Sequence, residues 1–577
     1  MRWLLQPSAA GTTTAFAAQL CELAEFRACP ETAGIVAQLL LSRGVSSTEQ
    51  ATTFLNPSLD QMHSPYEMLG MTAAVARLEA AIERKEDILI YGDYDVDGTT
   101  AIVILKTAIE LLGGTADFHV PHRIRDGYGM KDDVIEQAAI AGVKLIISVD
   151  TGIRAFAAAE TARRVGLDLI VTDHHLPGPE GVPHALAVLN PNQDGCSYPT
   201  KDLCGAGVAF KLAQALLEKS GRGRLLPSFL KIAAIGTIAD IVPLAGENRI
   251  FAKLGLAGLR QPVNVGLKAL FDVAKLNGKR PLSAGDIGFR IGPRINAAGR
   301  MDVARSVIEL FGTKDATQAR DIAGRLDQLN SDRQDAERKV VAAIIERLDN
   351  DAALRDTYCT VVEGEGWHRG VVGIAASRVV ERYGRPALVI STENGEAHGS
   401  GRSIRGFHLL NAIETCAELF TKHGGHAMAC GFSLPSERVA ELRQRLDAYA
   451  RALLTEADFE PILDIHAELP LHSITDPLFH SLQRLEPFGI GNPEPVFLAT
   501  SVKLSAPPRL IQEKHISLKL SSGQGRIYKA MCWRSAERFA QAELLAGDTL
   551  DIAYTLTLND HPDFGGLELN LRDFRKT

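Results

Sequence analysis

Over its first half the chain alternates short apolar runs with amphipathic stretches. The runs fall at residues 88–90, 118–120, 145–149, 169–171 and 187–189. Helical periodicity fills the gaps, as at 73–82 and 134–141. A strand covered on both faces has no polar side to alternate, so it reads as a continuous apolar run. Such runs separated by helices predict an α/β fold built on a doubly wound, mostly parallel sheet. Three of the runs end directly in aspartate or histidine. In open sheets of this kind, ligands bind in the crevice beyond the carboxyl ends of the strands.

The pattern changes elsewhere. Residues 1 to about 70 are alanine-rich and predicted helical, ending in Asn56-Pro57-Ser58. From 315 to 349 the apolar positions Ala319, Ile322, Leu326, Leu329, Ala336, Val340 and Ile344 recur with charges between them and no proline. A stripe so narrow predicts a long helix connecting two domains. A smaller α/β segment follows to about 455, rich in glycine at Gly364, Gly366, Gly399, Gly401, Gly424 and Gly425. Beyond Pro461 the chain shortens into strands and turns, with the alternation Ile516, Leu518, Leu520. This suits a small OB-type β-barrel, a platform that often carries single-stranded nucleic acid.

Composition narrows the setting. The 577 residues are 46% hydrophobic and 23% charged, as in ordinary globular proteins. No stretch approaches the roughly 18 apolar residues of a membrane span. Pro7 comes too early for a signal-peptide core. The eight cysteines, at 21, 29, 196, 204, 359, 416, 430 and 532, form no Cys-x-x-Cys pair, which fits reduced thiols in a cytoplasm; the missing apolar span predicts no membrane partner. The net charge of −8 does not favour nucleic acid, but it is unevenly spread. Between Thr500 and Ala540 eight basic residues stand against Glu513 and Glu537. A basic groove can sit on an acidic body.

Four motifs carry chemistry. Tyr91-Gly92-Asp93-Tyr94-Asp95-Val96-Asp97-Gly98 sets three aspartates at alternate positions after a buried strand. One of them, Asp93 or Asp97, fits a helix cap; three so close repel unless a cation lies between them. Ser148-Val149-Asp150-Thr151-Gly152 places a second aspartate at a strand tip, and Val171-Thr172-Asp173-His174-His175 a third with two imidazoles. In Ile235-Gly236-Thr237-Ile238-Ala239-Asp240 a single carboxylate interrupts an apolar helical run, where burial is costly without a partner. A metal is the simplest partner, and mixed O/N donors suit manganese or magnesium.

Taken together these motifs resemble those of the DHH phosphoesterase family. The resemblance implies two divalent cations: Asp95 on one, Asp97, His174 and Asp240 on the other, and Asp150 bridging. His175 would contact the scissile phosphate, and Asp93 would support the site or bind metal less directly. Where some members carry histidine this chain has Tyr91, leaving Asp93 or water to complete the first site. The implied reaction is two-metal hydrolysis of a phosphodiester by water, with the cations about 3.5–4 Å apart.

Further segments resemble the single-strand-specific exonuclease branch of that family. They are Pro121-His122-Arg123-Ile124-Arg125-Asp126-Gly127-Tyr128-Gly129, Gly292-Pro293-Arg294-Ile295-Asn296-Ala297-Ala298-Gly299-Arg300, Trp367-His368-Arg369-Gly370, Gly399-Ser400-Gly401-Arg402 and Gly424-Gly425-His426. The branch implies phosphate or DNA contacts from Arg123, Tyr128, Arg294, Ser400, Arg402 and His426, with a pocket for a 5′-phosphate. It also implies 5′-to-3′ release of mononucleotides in recombination and repair, by a monomer working with single-strand binding protein and a RecQ-type helicase. The expected layout is a helical N-terminal extension (1–69), a DHH catalytic domain (70–313) and a connecting helix (314–352). A DHHA1-type domain (353–457) and an OB-type nucleic-acid-binding domain (458–577) complete it. In the barrel, Tyr528 and Trp533 are either stacking platforms or core. Two other readings stand beside this one: a DHH hydrolase of cyclic dinucleotides or short oligonucleotides, and a non-catalytic DNA-binding scaffold. Chains of the first kind lack the segment after 461, and those of the second have lost metal ligands.

Overall fold

The computed structural model describes every residue except 8, 28, 124, 263, 279, 302–303, 523–525 and 560–564, so Ile124 of the loop after Pro121 lies outside it. The chain forms two compact units. One comprises Met1–Met62, Pro243–Lys253 and Ile462–Thr577; the other comprises His63–Val242 and Leu254–Pro461.

The larger unit holds a five-stranded parallel sheet in the order Thr115–His119, Asp87–Gly92, Leu145–Val149, Asp168–Thr172, Ala187–Leu189. The predicted runs are these strands, and Leu145–Val149 is buried at every position. From Asp87–Gly92 the chain steps outward to Thr115–His119, then returns to the other side with Leu145–Val149. That reversal is a topological switch point. Register aligns Gly92 with Val149 and Val149 with Thr172. The next residues, Asp93, Asp150 and Asp173, therefore leave three neighbouring strands at one level.

The long helix spans Ala316–Asn350. Its buried face is apolar at Ala319, Ala323 and Leu326, and again at Val340, Ile344 and Leu348. Between them it is polar. Arg333 bonds Asn330 and Glu337, and Glu337 also takes the Arg378 guanidinium at 3.1 Å. The sequence stripe placed Ala336 in this middle stretch; the deeply buried positions are Asn330, Arg333 and Glu337. The following lobe has a five-stranded sheet ordered Lys422–Gly425, Ala429–Pro435, Glu396–Arg402, Ala387–Glu393, Thr360–Glu365. Its central hairpin turns at Asn394 and Gly395, both with positive φ (51° and 82°), as a two-residue turn between twisted strands requires.

In the smaller unit the pairing Phe497–Leu504, Thr549–Asn559, Gly566–Lys576, Tyr528–Cys532, His515–Ser521 returns to Phe497–Leu504 and closes an OB-type barrel. Leu20, Phe26, Leu39 and Leu40 of the N-terminal segment share one core with Leu518, Leu520 and Tyr554 of the barrel. That segment is not wholly helical: Arg2–Leu5 is a strand parallel to Ile462–Ile465. Tyr528 is core, with its hydroxyl donating to the Ile474 carbonyl, whereas Trp533 is 56% exposed. Tyr528 is therefore removed as a stacking platform. Among the described residues no helix is long and apolar enough to cross a membrane.

Candidate metal centre

The turn after Asp87–Gly92 is held by backbone demands. Asp95, not Asp93 or Asp97, caps the helix Val96–Leu111, accepting from Gly98 N at 3.0 Å. A Cβ on Gly98 would lie 2.6 Å from the Asp93 carbonyl oxygen, so only glycine fits there. Asn296 Oδ1 accepts from Val96 N at 3.1 Å, pinning the turn from the Gly292–Met301 helix. Asp97 sits in the first helical turn and accepts from Gly205 N (2.5 Å) and Ala206 N (2.8 Å). Its carboxylate thus rests on the N-terminus of the helix Gly205–Lys219, where backbone donors and the helix dipole favour negative charge.

Asp150 leaves its strand at φ 57°, an uncommon conformation for a residue with a Cβ and one that concentrates at functional sites. His174 Nε2 lies 3.3 Å from Asp150 Oδ1, 3.7 Å from Asp240 Oδ2 and 3.9 Å from Asp97 Oδ2. Asp240 is the C-cap of the helix Leu226–Ala239 rather than a mid-helix residue. Three groups have their donor atoms within 4.8 Å of one another: Asp93, Asp95 and Asp150; Asp97, His174 and Asp240; Asp150, His174 and His175. Asp150 and His174 are each shared by two groups.

Negative charge is in excess in this cluster. Burial pushes the Asp93, Asp97, Asp150 and Asp240 carboxyls up, and repulsion from neighbouring aspartates adds to it. Asp93 Oδ1 and Asp150 Oδ1 are buried with no hydrogen-bond donor among the described residues. Divalent cations between these oxygens would relieve both conditions, so the residues fit such ions.

Asp173 behaves differently. Burial works against its charge, yet the His175 hydrogen bond and backbone donors outweigh it and hold the carboxyl below its usual range. Its oxygens accept from the N–H groups of Ile153, His174 and His175, and Oδ1 meets His175 Nδ1 at 2.8 Å. A carboxylate so fully engaged orients His175 rather than holding a cation. Asn190 and Asn192 donate to the carbonyls of His175 and His174 and hold the segment in place. The Tyr128 hydroxyl stands 3.4 Å from His175 Nδ1, and Tyr128 and His426 line the same cleft of about 740 Å³.

A second cluster is cationic. The Arg123 guanidinium lies over the Tyr94 ring at 4.9 Å and acts electrostatically on Asp93. Arg402 donates to Ser400 Oγ at 2.9 Å. A Cβ on Gly373, at the start of the helix Val372–Tyr383, would approach both groups to about 3 Å: 3.0 Å from Ser400 Oγ and 3.1 Å from Arg402 Nη2. Arg300, near the end of the Gly292–Met301 helix, donates to the Gly370 carbonyl at 2.9 Å. Burial, then Arg123, Arg333 and Arg402, push its guanidinium down to about 9, still charged at neutral pH. Arg294 is engaged elsewhere, with Nε 2.8 Å from Asp327 Oδ1 and Nη1 on the Arg290 carbonyl. It is Arg300 that stands in the company of Arg123 and Arg402.

The chain matches the DHH family N-terminal domain over residues 87–237, the DHHA1 domain over 356–452 and the RecJ OB domain over 465–573. It is 38% identical over 504 residues to the single-stranded-DNA-specific exonuclease RecJ of Dickeya dadantii, covering 84% of this chain and 86% of that one. Against the Bacillus subtilis enzyme of the same name it is 38% identical over 544 residues, 93% of this chain and 67% of the other. The crystal structure of RecJ in complex with Mn2+ from Thermus thermophilus superposes with a TM-score of 0.83 at 28% identity, covering all of this chain and 80% of that one. The corresponding Mg2+ complex gives 0.77. The chain belongs to the RecJ family, whose catalytic lobe is of the DHH type. Carboxylate and imidazole donors agree with the manganese and magnesium of those structures.

Proposed function

We propose that this protein is a metal-dependent exonuclease that degrades single-stranded DNA from its 5′ end to mononucleotides. The observation that carries the reading is the convergence of Asp93, Asp95, Asp97, Asp150, His174 and Asp240 on one crevice at a sheet switch point. Asp95 with Asp93 would hold one cation, Asp97, His174 and Asp240 the other, with Asp150 between them. Bound there, the pair would supply an activated water and charge neutralisation for in-line displacement at phosphorus. The protein's own part is orientation. Asp173 and Tyr128 hold the His175 ring toward the phosphate, and Arg123, Arg300, Ser400 and Arg402 receive a terminal 5′-phosphate, as bidentate guanidinium geometry suits. Anchoring that end would bring the first diester to the crevice lined by these carboxylates.

Residues 70–313 would be the catalytic domain and 353–457 its DHHA1-type companion, joined by 314–352. The extension 1–69 would brace the strand-guiding barrel at 458–577. The setting this reading implies is cytoplasmic recombination and repair by a monomer, recruited by single-strand binding protein and a RecQ-type helicase. The test is digestion of 5′-labelled single strands, duplexes and dinucleotides with Mn2+ and with Mg2+. Early release of 5′-mononucleotides from long single strands is expected; strict preference for dinucleotides would overturn the reading in favour of a short-oligonucleotide hydrolase. A second expectation concerns orientation. Asp173→Asn should slow turnover about 10–100-fold, as loss of a partner behind an active-site imidazole usually does. Manganese affinity, measured by calorimetry, should stay within a few-fold; a collapse in affinity would make Asp173 a ligand instead.

A further inference from the structure

The cleft bordered by His175 and Tyr128 is walled on its other side by Lys422–Gly425. That strand lies at the edge of its sheet, bonded among the described strands to Ala429–Pro435 alone. A Cβ at Gly424 would meet nothing within 4 Å, so there is open space over the backbone. Cationic side chains predominate in the lining. Arg154 and Lys422 contribute cations, His423 and His426 further imidazoles, and the sole carboxylate among the lining residues is Asp173. Asp173 is an anion, but a buried one whose oxygens are taken up by backbone N–H groups and His175. Arg154 Nε is fixed on the Leu176 carbonyl at 3.1 Å, which orients the rest of its guanidinium. Two cationic surfaces thus meet the metal centre at different points. Arg123 neighbours Asp93, while the charged neighbours of His426 are His175 and Arg154.

We infer that this cleft is the subsite for the downstream strand, which keeps the scissile phosphate as the 5′ nucleotide departs, with Arg154 and Lys422 holding the first phosphodiester on the 3′ side of the scissile one. The inference rests on the exonuclease reading. With the terminal phosphate on Arg123, Arg300 and Arg402 and the scissile phosphate beside His175, the next phosphate needs a cationic seat farther along the strand. The cleft offers it, and its volume lies within the range of about 300–1,000 Å³ usual for ligand sites.

The substrates that test this are 5′-phosphorylated di- and trinucleotides. The dinucleotide has no diester beyond the scissile one; the trinucleotide has one. For the Arg154→Ala/Lys422→Ala double variant of the full chain with Mn2+, the ratio of kcat/KM on trinucleotide to that on dinucleotide should fall about tenfold, mainly through KM. The salt dependence of strand binding should become shallower by about 0.7 in log–log slope, the contribution of one phosphate. The charge-preserving Arg154→Lys/Lys422→Arg variant should recover most of the ratio. Both positions are exposed, so the melting temperature should match wild type. An unmoved ratio would overturn the assignment, whether both substrates lose activity equally or neither does. Failure of the wild-type protein to cleave any strand would instead overturn the exonuclease reading itself.

Discussion

Replacement of Asp150 by alanine is expected to lower strand hydrolysis by about 10³-fold or more, roughly 4 kcal/mol of barrier. Asp150 is the carboxylate common to two of the three donor groups, with His174 Nε2 only 3.3 Å from its Oδ1. Losing it would weaken both cation sites at once, whereas loss of Asp95 or Asp240 would touch one. Strand binding should survive in part, since the arginine cluster and the barrel are untouched. Single-turnover cleavage of a 5′-labelled strand, with binding measured separately, checks both halves. Turnover within tenfold of wild type would remove Asp150 from the centre of the mechanism. In metal-free protein the volume-conserving Asp150→Asn variant should melt no lower than wild type. Its buried Oδ1 has no donor, and an amide avoids the cost of an unpaired buried charge.

The second large effect is expected at a residue with no side chain. A Cβ on Gly205 would stand 2.5 Å from Asp150 Cβ and 2.8 Å from Asp150 Oδ1. The same residue donates its N–H to Asp97 Oδ2 at 2.5 Å. Gly205→Ala must therefore displace Asp150 or draw the helix N-terminus away from Asp97. Overpacking of this kind costs about 1–3 kcal/mol in stability. We expect manganese affinity to drop at least tenfold and turnover about a hundredfold. Calorimetric titration of chelator-stripped protein, with thermal melting alongside, would show it. Gly424→Ala, where space is open, serves as the comparison; equal manganese affinity in both variants would rule out the steric account.

Much of the catalytic lobe was legible in the sequence because parallel strands buried on both faces are unbroken apolar text. An aspartate immediately after such a run is conspicuous, as at Asp93, Asp150 and Asp173. What a one-dimensional reading cannot supply is how many hydrogen bonds each carboxylate receives. Asp150 and Asp173 stand side by side at strand tips, yet Asp150 Oδ1 has no donor while Asp173 is surrounded by them. The Asp97 seat was equally hidden, since its donors come from Gly205 and Ala206, more than a hundred positions later. Arg300 was overlooked because its meaning comes from Gly370 and Arg402, on the other lobe. Arg2–Leu5 has no local signal at all; its pairing partner, Ile462–Ile465, lies at the far end of the chain. Asn330, Arg333 and Glu337 fall between the apolar positions of the helical stripe, yet they are buried against one another and Arg378.

The helix Ala316–Asn350 acts as a ruler. At about 1.5 Å per residue its 35 residues make a rod of roughly 50 Å, with an apolar grip at each end and an ion-paired middle. Inserting one alanine near Ser331 would turn everything beyond it by about 100° and carry Ser400 and Arg402 out of alignment with Arg123. Inserting seven would nearly restore the angle but lengthen the span by about 10 Å. The spacing between the two lobes' share of the cationic cluster is thus set by one rigid segment rather than by loops.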